Sequence, residues 1–99
     1  MMAPHLIDVE VTSAWRRLVA AGDVDERRVD LARADLRDLR LHRVPHGLLL
    51  DRAWALRTNI TAYDAVYVAL AELTDSVLLT ADGRVAAAPG PRCEIELLT

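Results

Sequence analysis

No lysine occurs anywhere in the 99 residues: all twelve basic side chains are arginine. Chemistries that need a primary amine therefore fall away. A Walker-A phosphate loop, a Schiff-base enzyme, and lysine-dependent α/β folds such as phosphotransfer receivers and haloacid-dehalogenase-like phosphatases each lose a required group. Cysteine is nearly absent as well. Cys93 alone can form neither an intramolecular disulfide nor a zinc–cysteine cluster, so a reducing cytoplasm is the expected setting, with Cys93 a small buried residue in a strand. No apolar run approaches the roughly eighteen residues that a membrane span requires. The start MMAPHLID has neither the basic residues nor the long apolar segment of a signal peptide, so no membrane association is expected. No G-x-G-x-x-G is present to support a dinucleotide.

Hydrophobic residues at 53% and charged residues at 27% indicate a globular protein, and the length suits one domain with a modest core, residues 1–99. The net charge of -3 conceals an asymmetry: residues 16–57 contain ten arginines against seven acids, whereas residues 58–99 contain two against six. An acidic segment preceded by an arginine-rich one suits a metal site beside a surface that meets phosphates, although solvated helices often show the same pattern.

The most informative stretch is NITAYDAVYVALAE, Asn59 to Glu72. Thr61 followed three residues later by Asp64 has the form of a capping box, and good helix formers continue to Glu72. Val66, Ala69, Leu70 and Leu73 recur at helical spacing as a core-facing stripe, with Tyr63 and Tyr67 adjoining. Asp64 thus falls in the first turn of a helix, where unpaired backbone N–H groups favour an anion. Taken alone it reads equally as a mere cap. After a turn-like stretch, the apolar run Val77 to Thr80 ends in Ala81-Asp82-Gly83-Arg84, which reads as a buried strand and an acidic turn. Ligands of open α/β sheets gather at the carboxyl ends of strands, where Asp82 lies, although Asp-Gly is also an ordinary turn dipeptide.

Pro4 and Gly22 bracket a first helix over residues 4–21, with Ile7, Val11, Ala14, Trp15 and Leu18 as its apolar stripe. Glu10 lies one turn from Ile7 and from Ala14, at the edge of that face, where a carboxylate needs compensation by a cation. Asp8 is near it, as a solvated neighbour or a support for a ligand. Asp23 or Asp25 caps a second helix to about Leu39, facing inward through Val29, Ala32, Leu36 and Leu39. A short strand, Leu41 to Pro45, and a helix from Leu48 to Arg57 with Leu49, Ala53, Trp54 and Leu56 inward follow. His42 and His46 stand four apart, but Pro45 between them argues against a shared helix, and both read as structural or surface residues. Arg84 to Ala88 suggests a short helix, Pro89-Gly90-Pro91 breaks it, and Cys93 to Leu98 alternates as an edge strand. This order points to an α/β fold, a parallel sheet with helices on both faces.

TAYDAVYVALAE followed by LLTADGRVA resembles the C-terminal half of a PIN-domain toxin of the VapBC toxin–antitoxin type. The stretch APHLIDVEVTSAWRRLVAAG resembles that family's second conserved block, whose glutamate corresponds to Glu10. The resemblance implies a PIN-like fold and an endoribonuclease dependent on Mg2+ or Mn2+, with Glu10, Asp64 and Asp82 as metal ligands and catalytic residues. Thr80 would hydrogen-bond a ligand carboxylate or the attacking water, and no nucleophilic side chain is needed. It further implies an RNA substrate, a cognate antitoxin, and assembly as a homodimer or toxin–antitoxin complex. The family pattern places a first strand ending in a further aspartate, within a strand–helix unit of roughly thirty residues, ahead of the block containing Glu10. The resemblance therefore implies a PIN-like domain incomplete at its N-terminus, lacking the first strand and first helix. The alternative expectation is a catalytically impaired module that binds an antitoxin or partner without cleaving RNA.

Overall fold

The computed structural model describes residues 1–98. It is mixed α/β, with five α-helices and four strands of three residues each, and the chain divides into two compact units, Met1–Arg43 and Val44–Thr99. The strands form two pairs, β1 with β2 and β3 with β4, where a single sheet was expected.

The first unit opens with β1, Met2–Pro4, followed by α1, Leu6–Ala20. This corrects the reading of Pro4 as the first turn of a helix: the fixed φ of proline fits an edge-strand position as readily as a helix start, and Pro4 is buried in β1. Gly22, at φ 78°, supplies the left-handed exit after α1. Asp25 then caps α2, Glu26–Asp38, its carboxylate accepting the Arg27 N–H. β2, His42–Val44, returns beside β1, with the His42 N–H donating to the Met1 carbonyl at 2.9 Å. The expected apolar stripes are less covered than their spacing suggests. No residue of α1 is buried, Leu18 and Leu39 are exposed, and Val29 is the one buried residue of α2.

The second unit is built on α4, Ala62–Leu73. Val66, Ala69 and Leu70 are buried as expected, and Ala65, Val68 and Ala71 join them, so all but a narrow face of this helix is covered. A 3-10 turn at His46–Leu48 and α3, Leu50–Ala55, replace the continuous helix expected from Leu48, and Leu49, Ala53 and Leu56 are buried. Burying leucine or valine fully stabilises a fold by about 1.5–3 kcal/mol each, so Leu49 and Val68 are major contributors. Trp54 and Leu73 depart from the inward reading. They are 69% and 63% exposed, and the Arg57 guanidinium stacks over the Trp54 ring at 4.3 Å.

β3, Leu78–Thr80, pairs in parallel with β4, Ile95–Leu97, in the register Leu78 to Ile95 and Thr80 to Leu97. Between them lies α5, Gly83–Ala87. Cys93 precedes β4 and is half-buried, not inside the strand, and burial raises its thiol pKa. Among the described residues no helix is long and apolar enough to cross a membrane.

Candidate active site: an acidic cleft at the start of α4

Thr61 stands in extended conformation immediately before α4, which turns its side chain back over the first turn. Its hydroxyl accepts the Asp64 N–H at 3.3 Å and donates to Asp64 Oδ2 at 3.2 Å. One threonine thus satisfies an orphan amide and fixes the rotamer of the carboxylate. Asp64 is half-buried in this position, held at the positive end of the helix dipole.

Asp82 arrives from the other direction. β3 delivers the chain to Thr80, whose Oγ1 accepts the Asp82 N–H at 3.1 Å and so sets the turn. Asp82 then caps α5: its Oδ1 accepts the Arg84 N–H at 2.9 Å, and the Arg84 guanidinium adds contacts of 3.3 and 3.4 Å to Oδ1 and Oδ2. These donors hold the Asp82 carboxyl below its ordinary value of 3.8, the backbone N–H first and the guanidinium second. The Arg84 side chain is 94% exposed, so its ion pair is open to exchange.

Asp64 and Asp82 line one cleft of about 160 Å3, together with Asn59, Thr61 and Arg84. An adjoining hollow of about 220 Å3 is lined by Asp64, Tyr67 and Thr80. Asn59 is anchored by donation from Nδ2 to the Pro89 carbonyl at 3.1 Å. The side-chain oxygens lining the cleft are hard donors, without sulfur or imidazole, a set compatible with Mg2+ or Mn2+.

Glu10 belongs to the first unit. It is exposed on α1, not at the edge of a buried face, because that helix buries none of its residues. Asp8, read as a solvated neighbour or a support for a ligand, is held by the Arg43 fork, with Nε to Oδ2 at 2.6 Å and Nη2 to Oδ1 at 2.9 Å. This hydrogen bonding lowers the Asp8 pKa below 3.8. Within neither unit, among the described residues, do three His, Cys, Asp or Glu side chains gather into a metal-holding group. Sequence reasoning missed Arg84 and Asn59 as neighbours of the site. Arg84 had a signal, its position two residues after a capping aspartate; Asn59 had none, since its anchor is thirty residues away.

A mixed α/β chain here brings an aspartate from the first turn of a helix and an aspartate from the end of a strand to one cleft, a candidate site built on carboxylates. The particular kinship comes from comparison with known proteins. Over 97 residues the chain is 48% identical to Ribonuclease VapC1 of Mycobacterium tuberculosis, covering 97% of this chain and 73% of that protein. It is 41% identical over 98 residues to Ribonuclease VapC9 of the same organism, covering 96% and 75%, and 44% identical over 90 residues to its Ribonuclease VapC3, covering 89% and 64%. No family model matches, and no solved structure matches. The chain belongs to the VapC family of PIN-domain ribonucleases.

Proposed function

We propose that this protein is an endoribonuclease dependent on Mg2+ or Mn2+ and the toxin of a toxin–antitoxin pair, with Asp64 and Asp82 as metal ligands. The observation that supports this most directly is the common cleft of Asp64 and Asp82, reached from opposite sequence directions. When bound there, a divalent cation supplies water activation and charge neutralisation for in-line attack on an RNA phosphodiester.

The residues prepare this chemistry in three ways. Thr61 fixes Asp64 with one oxygen directed to the hydroxyl, leaving the other carboxylate oxygen for a cation. The Asp82 carboxyl is held ionised by the Arg84 N–H and guanidinium, which favours the charged form that a cation needs. Thr80 uses its acceptor on the Asp82 N–H and keeps its hydroxyl proton to donate to water or to a phosphate oxygen. The names of the relatives, ribonucleases of the VapC series, support RNA as the substrate and an antitoxin as the partner.

RNA cleavage measured after EDTA treatment and again after added Mn2+ tests this. Cleavage is expected to return with the metal. It should fall by more than about 100-fold in Asp64→Asn and in Asp82→Asn, because loss of even an outer partner of a metal site costs 10–100-fold. Equal cleavage with and without metal, or in the variants, refutes the metal-ligand assignment. Inactivity under every condition, with retained binding to a small partner protein, identifies the non-cleaving module.

A further inference from the structure

The first unit contains a second concave feature that the carboxylate chemistry does not use. A hollow of about 440 Å3 opens between α1 and α2, and its walls include Asp8, Trp15, Arg33, Leu36, Arg37 and Arg43. This volume lies in the range of sites for small organic ligands, roughly 300–1,000 Å3. Three of the walls are guanidinium groups.

These arginines are not equivalent. Arg43 is committed to Asp8 through two short hydrogen bonds, so that pair contributes almost no net charge and presents no bare carboxylate to an incoming anion. Arg33 meets Asp30 at 3.7 Å, but both side chains are more than half exposed and the interaction is weak. Arg37 is exposed and, among the described residues, has no ion pair. Arg33 and Arg37 are four apart on α2, so their guanidinium groups emerge from the same helical face one turn apart. Leu36 and the half-buried indole of Trp15 supply apolar surface beside them.

We infer that this hollow binds one nucleotide of single-stranded RNA, with its base against Trp15 and its phosphate between Arg33 and Arg37. The inference rests on the reading that the protein acts on RNA, but it concerns binding and not cleavage. An aromatic face beside paired guanidinium groups is the arrangement by which proteins hold single strands without base-specific hydrogen bonds. An acidic peptide could use the two arginines; it has less use for the indole platform. A nucleotide uses both halves of the site.

Binding of a fluorescein-labelled oligouridylate of about ten nucleotides, followed by anisotropy in EDTA, separates the two steps. Trp15→Leu should weaken binding about tenfold or more, because one base no longer has an aromatic face to stack on. Arg37→Gln, at an exposed position that cannot disturb the core, should reduce the slope of log affinity against log salt by about 0.7, the change expected when one phosphate is no longer neutralised. In Trp54→Phe, where Trp15 is the remaining indole, RNA should quench the intrinsic fluorescence, and Arg33→Gln with Arg37→Gln should abolish the quench. Asp64→Asn should lose cleavage and keep both binding and quench. If the unaltered protein cleaves RNA while these groove variants bind normally, the groove assignment is wrong and the ribonuclease reading stands. Should the unaltered protein neither bind nor cleave, both fall. Competition by polyglutamate equal to that by oligouridylate also overturns the nucleotide assignment.

Discussion

At the scale of single residues, the chain uses few side chains for more than one purpose, and Thr61 and Asp82 are two of them. Thr61 caps α4 and orients Asp64, so the two effects can be separated by substitution. Thr61→Ala is expected to cost about 1 kcal/mol of stability, the usual effect of losing a cap, and to weaken Mn2+ binding as Asp64 gains rotamers. Thr61→Ser should restore both, as read by thermal unfolding and metal titration. If Mn2+ affinity is unchanged in Thr61→Ala, the hydroxyl does not position the carboxylate. Asp82 is shared between the α5 cap and the Arg84 guanidinium. A cation competing for the same oxygens must displace that guanidinium, so Arg84→Gln should tighten Mn2+ binding a few-fold in the same titration. Weaker binding in Arg84→Gln would show that the arginine assists the ion. The Thr61 cap with Asp64 in the first turn was legible in the sequence, and so was Asp82 as an acidic turn after a strand, because each is a local signal a few residues long; the capping of α5 by Asp82 was not read. The Arg43 fork on Asp8 was not, since its partners are thirty-five residues apart.

At the scale of elements, α3 and α4 are joined by a polar clamp as well as by their apolar faces. Arg52 of α3 donates to both oxygens of Glu72 on α4, at 2.6 and 3.1 Å, and its Nη2 also donates to the Gly90 carbonyl at 2.9 Å. Glu72 additionally accepts the Arg92 N–H at 2.6 Å. With side chains only 27% and 14% exposed, this pair is shielded from water, and removing one partner strands the other. Glu72→Gln is therefore expected to destabilise the protein by about 2 kcal/mol at pH 7, measured by denaturant unfolding. Its pH dependence follows from the sign of the shift. The Arg52 hydrogen bonds depress the Glu72 pKa below its ordinary 4.5, so their contribution is complete above that value and is lost as pH falls through the lower folded value. The difference between the two proteins should shrink on acidification below about pH 4.5. A constant difference from pH 7 to pH 3 contradicts the clamp. Periodicity revealed α3 and α4 but not this joint, for Glu72 looked only like the last polar residue of a helix. The same blindness placed Trp54 and Leu73 inside: helical spacing gives a face, and only the packed neighbours decide how wide that face is.

At the scale of the whole molecule, the core is unevenly distributed. α4 buries six residues and α1 none. Amide hydrogen exchange should therefore be slowest in α4, about Val68 to Ala71, and much faster through α1, because local opening follows the apolar surface it exposes. Equal protection in both helices is the contrary result. The sequence made the helix order and the two aspartates of the cleft readable, each from a pattern of a few residues. It left the division into two units and the splitting of the strands into two pairs unread, because three-residue strands leave almost no alternation to detect. The clamp on Glu72 has one more consequence, for proteolysis. In a protein without lysine, trypsin can cut only after arginine, and Arg92 sits on an exposed connection behind Pro89-Gly90-Pro91, the kind of segment that proteases enter first. Here the Arg92 amide and the Gly90 carbonyl are both tied back to the α3–α4 pair, so the backbone cannot readily extend into a protease cleft. The bond between Arg92 and Cys93 should survive brief digestion in the native protein and be cut early in Glu72→Gln, leaving a nick just ahead of β4.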